Sequence, residues 1–348
     1  MSLIDKLIKN STTKFTDTLT NSKVFGKKDM VPTSVPMINV ALSGRIDGGL
    51  TPGLTVLAGP SKHFKTAFSL LMGAAYLEKH EDGVILFYDS EFGTPQNYFT
   101  SFGIDMERVV HTPITDVEQL KFDIMQQLEN IERGEHVCII IDSVGNLASK
   151  KEVEDALNGK SVADMSRAKQ LKSLFRMVTP HLSLKDLPLI AINHTYMEIG
   201  MFPKAVVSGG TGIYYSADNI WIIGRQQEKE GSEIAGYHFI VNIEKSRFVR
   251  EKSKIPLTVT WEGGINKWSG LMDAALNAQY LAKPSNGWYQ KVDRETGELV
   301  GDKMRAKDVQ NNKDFWMAMF EETDFADYLK KKYSVGETSL VREEALND

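Results

Sequence analysis

The chain has 348 residues, with 41 lysines and arginines against 46 aspartates and glutamates, a formal net charge of −5. Hydrophobic residues at 42% and charged residues at 25% exclude a wholly disordered or fibrous protein and suggest about two domains. The single cysteine, Cys138, excludes an intramolecular disulfide framework and a cysteine-rich zinc site. It lies within the apolar run 137–141 and reads as a small buried hydrophobe. No apolar stretch approaches the ~18 residues that span a bilayer. Asp5, Lys6 and Lys9 interrupt the N-terminus where a signal peptide needs an apolar core, so a reducing cytoplasm without membrane contact is expected. Mild acidity argues against coating nucleic acid by bulk charge, an argument that local basic patches escape.

In chain order, residues 1–30 stand apart. Leu3, Ile4, Leu7 and Ile8 recur at helical spacing, and Ser2 with Asp5 forms a capping-box pattern. The segment holds six lysines and three aspartates and is too short for a core of its own. It reads as an amphipathic arm that docks on its own chain or on a neighbour. From about residue 50 the pattern is α/β. Near-continuous apolar runs at 54–58, 83–88, 137–141 and 187–192 read as strands buried on both faces, with amphipathic helices between them, for example at 116–132 and 163–178. Runs at 220–224, 238–243 and 257–261 are separated by polar turns and read as antiparallel strands that extend the sheet. A small mixed domain is expected from about 270.

The first strand runs into Gly59-Pro60-Ser61-Lys62-His63-Phe64-Lys65-Thr66, followed by a helix over 67–78. This is the phosphate-loop frame G-x-x-x-x-G-K-[ST] with Phe64 in place of the second glycine. A loop entering a helix N-terminus aims amides at phosphate oxygens. Lys65 would reach the β- and γ-phosphates of ATP and the Thr66 hydroxyl would ligate Mg²⁺. Phe64 is expected at helical φ, because positive φ is costly for a bulky residue. Two further strand ends support a nucleotide site. Asp142 ends the third buried run, where an aspartate would hold Mg²⁺ indirectly. Glu91 follows the second run at the sheet edge where α/β ligands bind, and could polarise a water for attack on the γ-phosphate.

The order of these features resembles the RecA-type recombinases, in particular their phage branch. It runs from the phosphate loop through Glu91, Asp142-Ser143, Asn193-His194 and a glycine-rich loop to Lys245-Ser-Arg247. The resemblance spans nearly the whole chain and rests most densely on 59–65, 88–93, 142–151 and 191–195. Phe64 at the loop is itself a feature of the phage branch. The resemblance implies a RecA-like P-loop NTPase core of α/β class with a mostly parallel central sheet over 31–268. It adds an N-terminal helix/strand polymerisation arm over 1–30 and a small C-terminal α+β domain over 269–348. Glu91 would be the catalytic glutamate and Tyr98 would stack on the base. His194 would sense the γ-phosphate where the wider family has glutamine, and as an imidazole it would do so with a pH dependence. Lys245 and Arg247 would reach a neighbour's ATP.

The resemblance also implies two DNA-contacting loops. The first, at 149–161, begins with Lys150 and Lys151 and precedes a helix bearing Arg167, Lys169, Lys172 and Arg176. The second, at 196–216, carries Met201, Phe202, Lys204, Gly209 and Gly210. Read without the resemblance, Lys150 and Lys151 are also compatible with a solvated turn. Apolar residues in so long a loop lack an obvious core, and could wedge between bases. The implied partners are single-stranded DNA, homologous duplex, further copies of the chain in a helical filament, a loading protein and a single-strand-binding protein. The implied activity is ATP-dependent homologous pairing and strand exchange, in which ATP binding favours the DNA-gripping state and DNA-stimulated hydrolysis loosens it. A ring-shaped helicase motor of the same fold, and a structural filament that only binds ATP, remain the alternatives.

Overall fold

The computed structural model describes residues 1–26, 28–159, 166–198, 200–201, 203–230, 233–260 and 264–336. Helix α1 (Leu3–Lys9) starts at Ser2, whose hydroxyl accepts from the Asp5 amide while the Asp5 carboxylate accepts from the Ser2 amide. None of its residues is buried, and Leu3, Ile4 and Leu7 face solvent. Helix α2 (Pro36–Ser43), not expected from the sequence, opens on a proline and ends at Gly44 with φ 79°. It is almost wholly buried.

Five parallel strands follow in alternation with helices: β1 (Gly53–Ala58), β2 (Val84–Asp89), β3 (Val109–Pro113), β4 (Val137–Asp142) and β5 (Pro188–Asn193). The helices are α3 (Lys65–Lys79), α4 (Gln96–Ser101), α5 (Val117–Asn130), α6 (Lys150–Leu157) and α7 (Ser166–Lys185). A two-stranded hairpin, β6 (Thr195–Met197) with β7 (Ala205–Val207), and helix α8 (Thr211–Ser216) come next. The long ribbon β8 (Asn219–Glu230) and β9 (Glu233–Ser246) precedes β10 (Lys254–Thr260) and β11 (Gly264–Ile265). These make a nine-stranded sheet in the order β11-β10-β9-β8-β1-β5-β4-β2-β3. The four runs expected as buried strands are strands buried almost throughout. The expected antiparallel extension is present, except that its first member, β8, lies parallel to β1.

Two expectations are corrected and one strand is added. The 149–161 segment is not a loop at its start. Ser149 and Glu152 form a capping box and 150–157 is helical. Helix α7 continues past 178 through Pro180, because Leu171, Leu174, Phe175, Val178 and Leu182 bury one continuous face and outweigh the lost amide. Strand β3 was missed: it is an edge strand with exposed Val110 and His111, so it lacks a continuous apolar signature.

After β11 the chain forms α9 (Leu271–Asn277), a three-stranded sheet of β12 (Leu281–Ser285), β13 (Trp288–Val292) and β14 (Leu299–Arg305), then α10 (Ala306–Gln310), α11 (Lys313–Glu322) and α12 (Phe325–Tyr333). Tyr280, Trp316 and Phe325 join the same apolar cluster as Met37, Phe68 and Phe239 beside the large sheet. A second cluster on the other face is built from α5, α7 and strand side chains such as Leu54, Val56 and Ile139. The bridge Val249↔Ser334 and the Arg250 amide on the Tyr333 carbonyl, 2.7 Å, tie the end of α12 to the turn after β9. Among the described residues no helix is long and apolar enough to cross a membrane.

Candidate nucleotide site and nucleic-acid surface

Strands β1, β4 and β2 end together at the same sheet edge, with Asp89 opposite Asp142 in register. The phosphate loop, Glu91, Tyr98, Asp142 and His194 line one cleft of about 480 Å³ there. Open parallel sheets place ligands at the carboxyl ends of their strands.

Phe64 departs from expectation. It adopts φ 55° and ψ 20° at the N-cap of α3, the left-handed region, with Lys62 also positive at φ 60°. Its ring packs 5.3 Å from Phe239, which also meets Phe68, so burial of the ring offsets a backbone penalty of ~1 kcal/mol. Phe64→Gly is therefore expected to unfold at a higher denaturant midpoint than Phe64→Ala, although both lie below the parent. Both lose the ring, but only alanine keeps the strain, a difference of about 1 kcal/mol. Equal midpoints would show that the loop relaxes to negative φ.

Lys65 is buried, and its Nζ donates to the carbonyls of Gly59 at 3.0 Å and Pro60 at 2.7 Å. Burial lowers its pKa, against the pull of Glu91 and Asp142. Thr66 Oγ1 donates to Asp142 Oδ2 at 2.7 Å, while Asp142 Oδ1 is buried without a hydrogen-bond partner. A hydroxyl oxygen beside an orphaned carboxylate oxygen is a hard-oxygen donor set that fits Mg²⁺.

Burial pushes the Asp142 carboxyl up to about 6, with Glu91 and Asp89 adding to the effect against the Thr66 hydrogen bond. An acid with a raised native pKa stabilises the fold fully below its unfolded value. That contribution is lost as pH rises through about 6. At neutral pH the ionised group thus costs the nucleotide-free fold on the order of 1–3 kcal/mol. Asp142→Asn is expected to raise the thermal midpoint of the nucleotide-free protein by a few degrees at neutral pH, but not in acid below the unfolded value. A neutral-pH midpoint that does not rise would contradict this account.

Glu91 sits on a turn held by Asp89, whose Oδ1 accepts from the amides of Glu91 at 3.0 Å and Phe92 at 2.8 Å. Ser143 Oγ donates to Glu91 Oε1 at 2.6 Å, and His194 Nε2 lies 3.3 Å from the same oxygen. The contact with His194 and the Ser143 bond hold the Glu91 pKa below the usual carboxylate range despite partial burial. Gly145 permits this approach: a Cβ there would stand 2.3 Å from His194 Cδ2. Asn193 is buried. Its Oδ1 accepts from the His194 amide and its Nδ2 donates to the Ser208 carbonyl, both at 2.8 Å. A continuous polar chain thus runs from Glu91 to the end of β7.

The remaining candidates divide. Lys150, Lys151, Arg176 and Lys204 are exposed, and Met201 is 89% exposed. Lys151 pairs with Asp155 at 2.5 Å and Lys204 with Glu244 at 2.9 Å. Gly209 and Gly210 have φ 94° and 78° at the turn into α8. Phe202 lies outside the described residues. Arg167 is a correction. It turns inward and donates to the carbonyls of Leu147, Gly145 and Val144 at 2.6, 2.8 and 3.1 Å, so it holds the loop after β4 instead of facing a ligand.

Lys245 and Arg247 do not line the cleft. Lys245 pairs with Ile220 near the other end of the β8–β9 ribbon and donates to the Tyr214 and Tyr215 carbonyls, while Arg247 pairs with Asp218. Sequence reasoning missed Ser143, Arg225 and Tyr237 as parts of the site. Ser143 carried a signal, since it directly follows the strand-end aspartate.

Fold and cleft define a P-loop α/β protein. The RecA N-terminal domain family matches residues 5–266, and the C-terminal domain of the bacteriophage T4 recombination and repair protein matches residues 268–329. The recombination and repair protein of Enterobacteria phage T4 is 53% identical over 338 residues, covering 96% of this chain and 86% of that protein. RecA of Arthrobacter sp. is 27% identical over 280 residues, 78% of this chain and 75% of that protein. RecA of Paracoccus denitrificans is 25% identical over 256 residues, 72% and 69%. The chain belongs to the RecA family and is a recombinase of recombination and repair.

Proposed function

We propose that the chain binds ATP with Mg²⁺ in the cleft and hydrolyses it while polymerised on single-stranded DNA, which it pairs with homologous duplex. The observation that carries the reading is the polar chain from Glu91 through His194 and Asn193 to the Ser208 carbonyl. It links the residue suited to activate water with the hairpin that presents Met201 and Lys204. Occupancy of the hairpin by DNA and the setting of Glu91 would then be coupled through a contiguous, hydrogen-bonded path.

In this mechanism Glu91, whose pKa His194 and Ser143 lower, accepts the proton of the attacking water as a carboxylate. Lys65 exchanges its two loop carbonyls for phosphate oxygens. Thr66 and Asp142 would hold Mg²⁺, which when bound neutralises charge on the phosphates. Tyr98, partly buried and edge-on to Phe102 at 5.6 Å, is placed to carry the base. The arm over 1–30 docks on an adjacent protomer, which would cover the apolar residues that α1 leaves exposed. The core spans 31–268 and the C-terminal unit 269–348. Exposed Lys150, Lys151, Arg176 and Lys204 grip backbone phosphates, which conveys no sequence preference.

The test is ATP hydrolysis by the full chain with and without single-stranded DNA. Strong stimulation by DNA is expected, with a steep loss as salt rises. Unstimulated hydrolysis at the same rate would remove the coupling, and DNA binding without any hydrolysis would favour a structural filament.

A further inference from the structure

Arg225 stands in the cleft without a part in the mechanism above. Strand β8 runs beside β1 with Ile222 opposite Ala58, where β1 ends and the phosphate loop begins. Strand β8 continues, so Arg225 overhangs the loop. Trp221 and Ile223 are buried in the cluster that contains Phe68 of α3, and Arg225 follows at the same alternation, on the α3 side of the sheet.

Its guanidinium is stacked 4.4 Å over the Tyr237 ring, and Nη1 donates to the Lys62 carbonyl at 3.0 Å. Tyr237 in turn rests on Phe239 at 6.0 Å, the ring against which Phe64 and His63 also pack. An exposed arginine is usually free to swing. This one is held face-on by an aromatic ring and edge-on by a backbone carbonyl of the loop whose amides aim at phosphate. A planar fork held this way loses little freedom on meeting a ligand, and it matches phosphate oxygens in pairs.

We infer that Arg225 is a binding residue for the phosphate chain of the nucleotide, gripping it from the β8 side of the loop. The inference rests on the nucleotide reading of the cleft. It concerns a cation of the same protomer, distinct from Lys245 and Arg247, which lie away from the cleft. Arg225 moves from the Lys62 carbonyl to phosphate oxygens when nucleotide enters, so the grip depends on phosphate and not on the base.

The experiment is calorimetric titration of the full-length protein, without DNA, with a non-hydrolysable ATP analogue and with its guanine counterpart. The parent, Arg225→Ala and Arg225→Lys are compared, and the melting temperature of each is measured without nucleotide. Arg225→Ala should weaken both analogues by about tenfold or more, Arg225→Lys should recover part of the loss, and melting should stay with the parent. Arg225→Ala affinities within about twofold of the parent would overturn the inference. So would a loss confined to one base, or a loss matched by a fall in melting temperature that shows a damaged loop. Failure of the parent to bind either analogue would overturn the nucleotide reading itself, a separate outcome.

Discussion

Glu91→Gln is expected to lower DNA-stimulated ATP hydrolysis by roughly 10²–10⁴-fold while leaving nucleotide and single-stranded DNA binding within a few-fold of the parent. The amide keeps the size of the side chain, and it can still accept from Ser143 Oγ, now 2.6 Å from Oε1. It cannot take a proton from water. The carboxylate is ionised at neutral pH, and His194 and Ser143 lower its pKa below the usual carboxylate range. The parent's activity should therefore persist to lower pH than a free carboxylate would allow, and the variant's residual activity should not follow that titration. Steady-state hydrolysis with and without DNA, together with binding titrations, separates the chemical step from assembly. Parent-like hydrolysis by Glu91→Gln would remove Glu91 as the base and leave an ATP-binding filament as the better account.

The second large effect concerns Lys245. Lys245→Ala is expected to reduce hydrolysis by about 10³-fold, the scale of a cation supplied across an interface. Lys245 Nζ donates to the Tyr214 carbonyl at 2.8 Å and sits 5.5 Å from that ring's centroid. Burial and the nearby Arg247 charge lower its pKa against the pull of Asp218 and Glu251. A neighbour's phosphates would complete its surroundings. Mixing decides where it acts. Glu91→Gln and Lys245→Ala proteins, each inactive alone, should regain hydrolysis when combined. Some interfaces would then pair an intact glutamate with an intact lysine from the other protomer. A mixture that stays inactive would remove Lys245 from the neighbour's site and restrict it to capping α8.

The contrast between Arg167 and Arg225 shows what kind of information local sequence holds. Sequence reading placed the first on DNA and did not single out the second. Arg167 instead satisfies three carbonyls of the loop after β4, a loop whose position depends on where β4 and β5 sit in the sheet. Arg225 reaches the cleft because β8 lies against β1 and outruns it. Neither placement has a local signature, since each arises from the order of strands.

The sequence alone determined the buried parallel strands, the phosphate loop and the acidic residues at strand ends. A near-continuous apolar run has few stable settings other than a sheet covered on both faces, and polar residues at its end must then lie at the edge. Capping at Ser2 was equally local, set by residues three apart, whereas the same pattern at Ser149 went unread in a segment expected as a loop. Only the tertiary structure decided the positive φ of Phe64, whose strain is offset by a ring on β9, and the meeting of Glu91 with His194 from two different strands. The weak edge strand β3 and the short β6–β7 hairpin likewise depend on partners for their backbone hydrogen bonds. Local pattern encodes which face of an element is buried. Which side chains then meet is set by sheet order and register, and those are properties of the whole chain.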